Sequence, residues 1–343
     1  MKLRKILMTT VAIAGLSFVG EGKTLDNSRI TNHIVPEPKS TSSVTSVTFN
    51  NNGITMAGNL YLPANMDKTK TYPSIVVVHP GGGVKEQTAG LYAKHLSEAG
   101  FITLAFDASY QGASGGEPRF LDNPLNRVGD IYSAVDYLTT LSYIDANRIG
   151  AMGICAGSGA TVKAAMTERR IKALATVSGV DVGAAGRRGW DGKANIDPIV
   201  TLEAVAKQRT AEANGAATMY VPYVPEVGDT TAPKDLQEAA VYYRTPRGQH
   251  PNSTNKLLFT GLAYGILFDG FGQADKLLTQ PLLIIAGSEA GSLWQSEELN
   301  QKAASKDKEL FIVKGATHMD LYDIPEYVAP AVSKLKQFYS KNL

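Results

Sequence analysis

Six short apolar runs, none long enough for a buried helix, dominate the sequence. TYPSIVVVHP (71–80) is the clearest: a continuous stretch of branched residues with no polar alternation, as a strand covered on both faces requires. FITLAFD (101–107), RIGAMGI (148–154), IKALATVSG (171–179), QPLLIIAG (280–287) and KELFIVKG (308–315) read the same way. Helical patterns separate them, over about 86–99, 126–141, the residues after Cys155, a segment between the last two strands, and 325–340. Strands alternating with helices are the signature of βαβ units, hence an α/β fold with a mostly parallel central sheet and helices on both faces. Ahead of them, VTSVTF (44–49) and ITMAGNLYLP (54–63) flank Asn50-Asn51-Asn52-Gly53, a hairpin signal that adds antiparallel edge strands.

Two regions break the rhythm. Residues 1–22 begin with Lys2, Arg4 and Lys5, continue as an apolar run from Ile6 to Val19, and end in Gly20-Glu21-Gly22. That is the shape of a secretory signal peptide, too short to span a bilayer comfortably, so the expected location is periplasmic or secreted with no permanent membrane span. A Ser/Thr/Asn/Pro-rich stretch over 23–43 reads as a linker or arm, and the catalytic-type domain as 44–343. Within it, residues 185–279 contain no clear buried strand but hold helical patterns at 198–214, 234–242 and 254–278, which marks a helical cap inserted over the sheet's C-terminal edge.

Removing the basic start leaves a near-neutral chain, with no electrostatic case for nucleic acid or anionic membrane. A small-molecule substrate is the expected partner, and oligomeric state is not legible. The single Cys cannot form an internal disulfide, so its thiol is buried and inert, paired with another chain, or kept for chemistry.

Its context favours chemistry. Gly153-Ile154-Cys155-Ala156-Gly157 joins a buried strand to a helix with small residues two positions either side of the thiol, the pattern of a nucleophile elbow. Ser158 has only Ala156 and Ala160 at those offsets and falls within the helix. A helix N-terminus and a nearby imidazole lower a thiol pKa from its usual value near ~8.5. The base is expected to be His318, in KGATHMDLYD (314–323) after the last strand; His33 lies in the arm, His95 on a surface-type helix, His79 at a strand end, and His250 in the cap as a substrate-facing or loop residue. For the acid that orients the imidazole, Glu289 in AGSEAGSLW (286–294) is the preferred candidate and Asp181 in SGVDVG the alternative. HPGGGVKEQ (79–87) supplies the oxyanion donors: one amide from Gly81, Gly82 or Gly83, together with that of Ala156. This loop lacks GxGxxG and the P-loop Lys-Ser/Thr, and neither cofactor nor metal is expected.

HPGGG, GICAG and the late GATH together resemble the α/β-hydrolase superfamily, and the Cys elbow resembles its dienelactone-hydrolase-like branch, over residues 45–343. The resemblance implies a Cys/His/acid triad on Cys155, His318 and an acid, although Ala290 and Gly291 stand where the family's usual Asp is expected; it also suggests Glu86 as a partner of the resting thiol. Tyr110 and Arg119, with Asp107, stand near the expected mouth, where they touch substrate or brace the loop. Tyr223, Trp190, Tyr220, Tyr242 and Tyr243 form an aromatic wall or glue the cap down, and Asp130 sits on a helix one turn from Arg127 as its basic partner. The expected function is an exported hydrolase of a small ester, lactone or thioester. Acyl transfer, thioester cleavage in biosynthesis, or a non-catalytic binding protein are the alternatives, and a redox sensor is weakened by the absence of a resolving Cys.

Overall fold

The computed structural model describes residues 42–194 and 196–343, so the signal-type segment at 1–22 and nearly all of the arm at 23–43 lie outside the described residues. The described residues hold ten strands: β1 (Ser43–Asn51), β2 (Ile54–Leu62), β3 (Tyr72–Val78), β4 (Ile102–Phe106), β5 (Ile144–Ile154), β6 (Ile171–Val177), β7 (Tyr220–Val221), β8 (Leu257–Leu258), β9 (Leu282–Gly287) and β10 (Lys308–Val313). Eight form one sheet in the order β1-β2-β4-β3-β5-β6-β9-β10, and β7 pairs with β8 apart from it. From β4 to β10 every neighbouring pair is parallel, while β1 and β2 run antiparallel at the edge. The hairpin closes on Asn52 at φ 49° and Gly53 at φ 88°, the positive dihedrals that a two-residue turn of the right twist demands.

The unbroken apolar runs have a simple cause. In β3, Ile75 and Val77 face one core with Tyr92, Leu96 and Leu335, while Val76 and Val78 face another with Ile131, Val135 and Val162. Alternate side chains point to opposite faces, and both faces carry helices, so neither side of the strand is left to solvent and even Ser74 is buried. The first core is covered by α1 (Thr88–Ser97) and α11 (Pro325–Asn342), the second by α2 (Pro124–Thr139), α3 (Ala156–Thr167) and α9 (Leu293–Lys302). Each fully buried branched side chain contributes about 1.5–3 kcal/mol of transfer free energy. The helix expected over 126–141 starts two residues earlier, because Asn123 caps it by accepting from the Leu125 amide and Pro124 occupies its first turn.

Between β6 and β9 the chain builds α4 (Val182–Arg188), α5 (Pro198–Ala213), α6 (Lys234–Arg244), α7 (Leu262–Leu267) and α8 (Ala274–Leu277). The helical stretch expected over 254–278 is broken into β8, a 3₁₀ turn at Phe259–Gly261 and the two short helices α7 and α8. Four glycines at 261, 265, 270 and 272 explain the interruption, since glycine is the poorest ordinary helix former. α10 (Asp320–Asp323) completes the set. No helix among the described residues is long and apolar enough to cross a membrane.

Candidate active site

β5 ends at Ile154 and α3 begins at Ala156, which leaves Cys155 alone to make the turn at φ 52° and ψ −124°. A non-glycine residue in that region costs of the order of 1–3 kcal/mol, and the surroundings impose it. Its amide donates to Val177 O at 3.0 Å, and its carbonyl accepts from Ser158 N at 2.8 Å and Val180 N at 3.1 Å. A Cβ at Gly153 would fall 2.5 Å from Ser158 Cα, and one at Gly157 2.5 Å from Val78 O, so neither position admits a side chain. Ser158 is buried with its hydroxyl donating to Gly153 O, and it has no access to the cavity that Cys155 lines.

His318 follows β10 and is buried, with its ring facing the thiol. Cys155, Ala156, His318 and Tyr322 line one cavity, so the imidazole, the phenol and the helix-start amide are the polar groups that act on the sulfur. Burial pushes the thiol up, but the imidazole, the Tyr322 hydroxyl and the Ala156 amide outweigh it, so its pKa ends below the ordinary value. Burial pushes His318 down in turn; the thiolate opposite outweighs that, with help from Asp235 and Glu238, and holds the imidazole above its ordinary value. The two opposite movements favour a thiolate–imidazolium pair. Trp190 stands edge-on to the imidazole, ring centroids 5.0 Å apart.

The acid is where sequence reasoning fails. Glu289 is exposed, its carboxylate accepting from Ser288 Oγ, because its amide donates to Ala316 O and turns the side chain outward. Asp181 is buried but spends its carboxylate on the Gly183 and Gly270 amides, each at 3.0 Å, as the N-cap of α4. Neither meets the imidazole. Its Nδ1 is paired instead with Ser292 Oγ at 2.7 Å, and its Nε2 lies 3.4 Å from the Tyr322 hydroxyl. The nearby carboxylate comes from the insertion: Asp235 in α6, buried, accepts from Trp190 Nε1 at 2.7 Å and from the Gly291 amide at 2.8 Å. It therefore grips both the ring beside His318 and the residue preceding Ser292. Tyr322 carries a sequence signal, four residues beyond His318 in the segment after the last strand; Ser292 and Asp235 carry none.

Of the three glycines after β3, Gly81 lines the cavity with Cys155 and Ala156. Gly83 donates its amide to Pro80 O, and Gly82, at φ 68°, is covered by the Tyr223 ring, which a Cβ would meet at 2.8 Å. His79 anchors this turn: Nδ1–H donates to Pro80 O at 2.6 Å and Nε2 accepts from the Ala108 amide at 3.0 Å. Burial, then Arg127, brings its pKa to about 4, so it is a neutral brace. Arg127 donates to His79 O and pairs with Asp122, not with Asp130, which accepts from Asn51 and Ser109.

The cavity at the thiol, about 100 Å³, is walled by Trp190, Tyr223, Leu236, Tyr243 and Tyr322. Of the expected aromatic wall, Trp190, Tyr223 and Tyr243 thus reach it, whereas Tyr110, Arg119 and His250 do not line it. Arg119 donates to Ser114 O and Gly112 O, bracing the loop, while Tyr110 packs under Gly116 and bonds Gly115. His250 accepts from the Asn252 amide away from the cavity. Tyr242 packs edge-on to Tyr243 and Tyr322, and Tyr220 is exposed against Phe120. Glu86 is exposed and paired with Lys85 at 2.6 Å, which Asp107 also holds at 2.9 Å, so Glu86 does not meet the thiol. No group of three or more His, Cys, Asp or Glu among the described residues can hold a metal ion.

Comparison with known proteins agrees with this architecture. The model of the dienelactone hydrolase family matches residues 56–187. The Escherichia coli (strain K12) protein YcjY is 48% identical over 295 residues, covering 86% of this chain and 96% of that protein. The crystal structure of hypothetical protein PA2218 from Pseudomonas aeruginosa superposes with a TM-score of 0.83 at 35% identity, covering 89% of this chain and 95% of that one. Thiohydrolase aneE of Aspergillus aculeatus is 28% identical over 193 residues, 56% of this chain and 58% of that protein.

Proposed function

The chain belongs to the dienelactone hydrolase family of the α/β-hydrolase superfamily, and from that premise we propose that it cleaves a small ester, lactone or thioester through a covalent acyl–Cys155. The observation that carries the reading is the strained Cys155, its thiol pKa lowered by His318, at the wall of a cavity with the Ala156 amide beside it. In the first half-reaction the Cys155 thiolate adds to the carbonyl carbon. The developing oxyanion is held by the Ala156 and Gly81 amides, and as the carbon–heteroatom bond breaks His318 Nε2 gives its proton to the leaving group. In the second, His318 takes a proton from water, the hydroxide adds to the thioester carbon, and the thiolate departs with the free acid released. The similarity to a protein named thiohydrolase supports thioesters among the bonds cleaved.

Ser292 and Asp235 act as positioning residues. Nδ1–H donates to Ser292 Oγ, which fixes the ring with Nε2 toward sulfur, and the buried carboxylate of Asp235 supplies the negative field that a hydroxyl cannot. Export rests on the basic start and apolar run of residues 1–22, and periplasmic fractionation tests it. For the chemistry, p-nitrophenyl acetate and acetyl thioesters are incubated with the protein, quenched and weighed. One acetyl group on Cys155, absent from Cys155→Ala, is expected; turnover retained by Cys155→Ala overturns the reading.

A further inference from the structure

A second cavity of about 130 Å³ adjoins the thiol cavity, sharing Asp122, Ala156, Val182 and Tyr223 with it as a neck. Beyond the neck its wall is apolar, from Pro222, Leu257, Leu262 and Ile266. The only charged side chains on it, Asp122 and Arg127, are paired with each other at 2.7 Å. Arg127 also donates to His79 O at 2.9 Å and Pro80 O at 3.5 Å, and Asp122 also accepts from the Tyr223 hydroxyl. Burial pushes Asp122 up, but Arg127 and Tyr223 outweigh it and keep it ionised, so the pair is neutral as a whole. An incoming carboxylate therefore finds no free cation there and would be desolvated without compensation. An uncharged chain or ring loses water against aliphatic walls and gains.

The cavity also owes its volume to glycines. Gly186 in α4 and Gly265 in α7 line it, and neither has a positive φ. A Cβ at Gly265 meets nothing within 4 Å, and one at Gly186 meets only Ile266, at 3.6 Å. Side chains can be introduced at both without strain, and in a helix they replace its poorest ordinary former.

We propose that this second chamber binds the acyl portion of the substrate, and that this portion is an uncharged apolar chain or ring rather than a carboxylate-bearing group. The inference rests on the acyl–Cys155 reading for its chemistry, because Ala156, the shared neck residue, also offers the oxyanion amide.

The test holds the leaving group constant. With p-nitrophenyl acetate, butyrate and hexanoate, kcat/KM is expected to rise about fourfold for each methylene that enters the chamber. The mono-p-nitrophenyl ester of adipic acid, equal in carbon number to the hexanoate but ending in a carboxylate, is expected at least about tenfold below it. Gly186→Leu and, separately, Gly265→Leu are expected to cut the hexanoate-to-acetate ratio of kcat/KM by about tenfold. A flat chain-length profile, equal or better use of the adipate ester, or an unchanged ratio in both folded variants would each overturn the proposal. Binding of octanamide to Cys155→Ala, read as a thermal shift, reports on the chamber without turnover. Loss of that shift in Gly186→Leu supports the proposal, and no shift, or one that Gly186→Leu leaves intact, contradicts it. Absence of acyl transfer beside normal octanamide binding would fault the chemistry alone.

Discussion

The sheet scaffold and the insertion between β6 and β9 contribute to one cavity in different ways. The scaffold supplies Cys155, Ala156, Gly81 and His318 from the ends of β3, β5 and β10, all in turns whose shape is dictated by packed strands. The insertion supplies Trp190, Tyr223, Leu236, Tyr243 and the carboxylate of Asp235. On the proposed chemistry the reacting atoms come from the sheet layer, and shape and field come from the covering one. In an α/β-hydrolase fold this division lets the cover change while the elbow stays the same.

The sharpest break in that comparison is at the elbow. Cys155→Ala and His318→Ala are each expected to lower kcat/KM by about a thousandfold or more, with unchanged melting temperature, in steady-state assays. A truncation in the scaffold, Leu104→Ala, is expected to cost about 2–5 kcal/mol of stability by urea unfolding, since Leu104 is fully buried between β2 and β3. Asp235→Asn retains shape and removes charge. It is expected to lower kcat by about ten- to a hundredfold with little change in KM. Because Asp235 holds the His318 pKa up, its loss should also move the alkaline limb of the pH profile to lower pH. An unmoved limb would reduce Asp235 to a brace. The smallest effect belongs to Ser292→Ala: a single buried hydrogen bond, about 0.5–1.5 kcal/mol, or two- to tenfold in kcat.

What was legible in the sequence follows the same division. Two-sided burial forces continuous apolar runs, so β3 to β6, β9 and β10 stand out. Steric exclusion forces glycine at 153 and 157, which marks the turn at Cys155. His318 is legible by its place after the last strand. The partner of its Nδ1 is not: Glu289 offers the right chemistry in the right loop, but a backbone bond to Ala316 turns it outward, and a serine three residues on takes the place. Asp235 looks like an ordinary first-turn carboxylate until folding brings Trp190 and Gly291 onto it. Helical spacing points Arg127 to Asp130, whereas Asp122, outside the helix, is its partner. Local sterics and periodicity are written in neighbouring residues; contacts between distant segments are not.

The most direct measurement uses the fact that the chain has one cysteine, so thiol alkylation reports on a single site. The rate of iodoacetamide labelling is followed against pH in the wild type and in His318→Ala. The account predicts a wild-type midpoint below the ordinary thiol value and a higher midpoint in the variant, because the imidazole is what holds the thiolate. A midpoint at or above the ordinary value, or one that His318→Ala leaves in place, would contradict it.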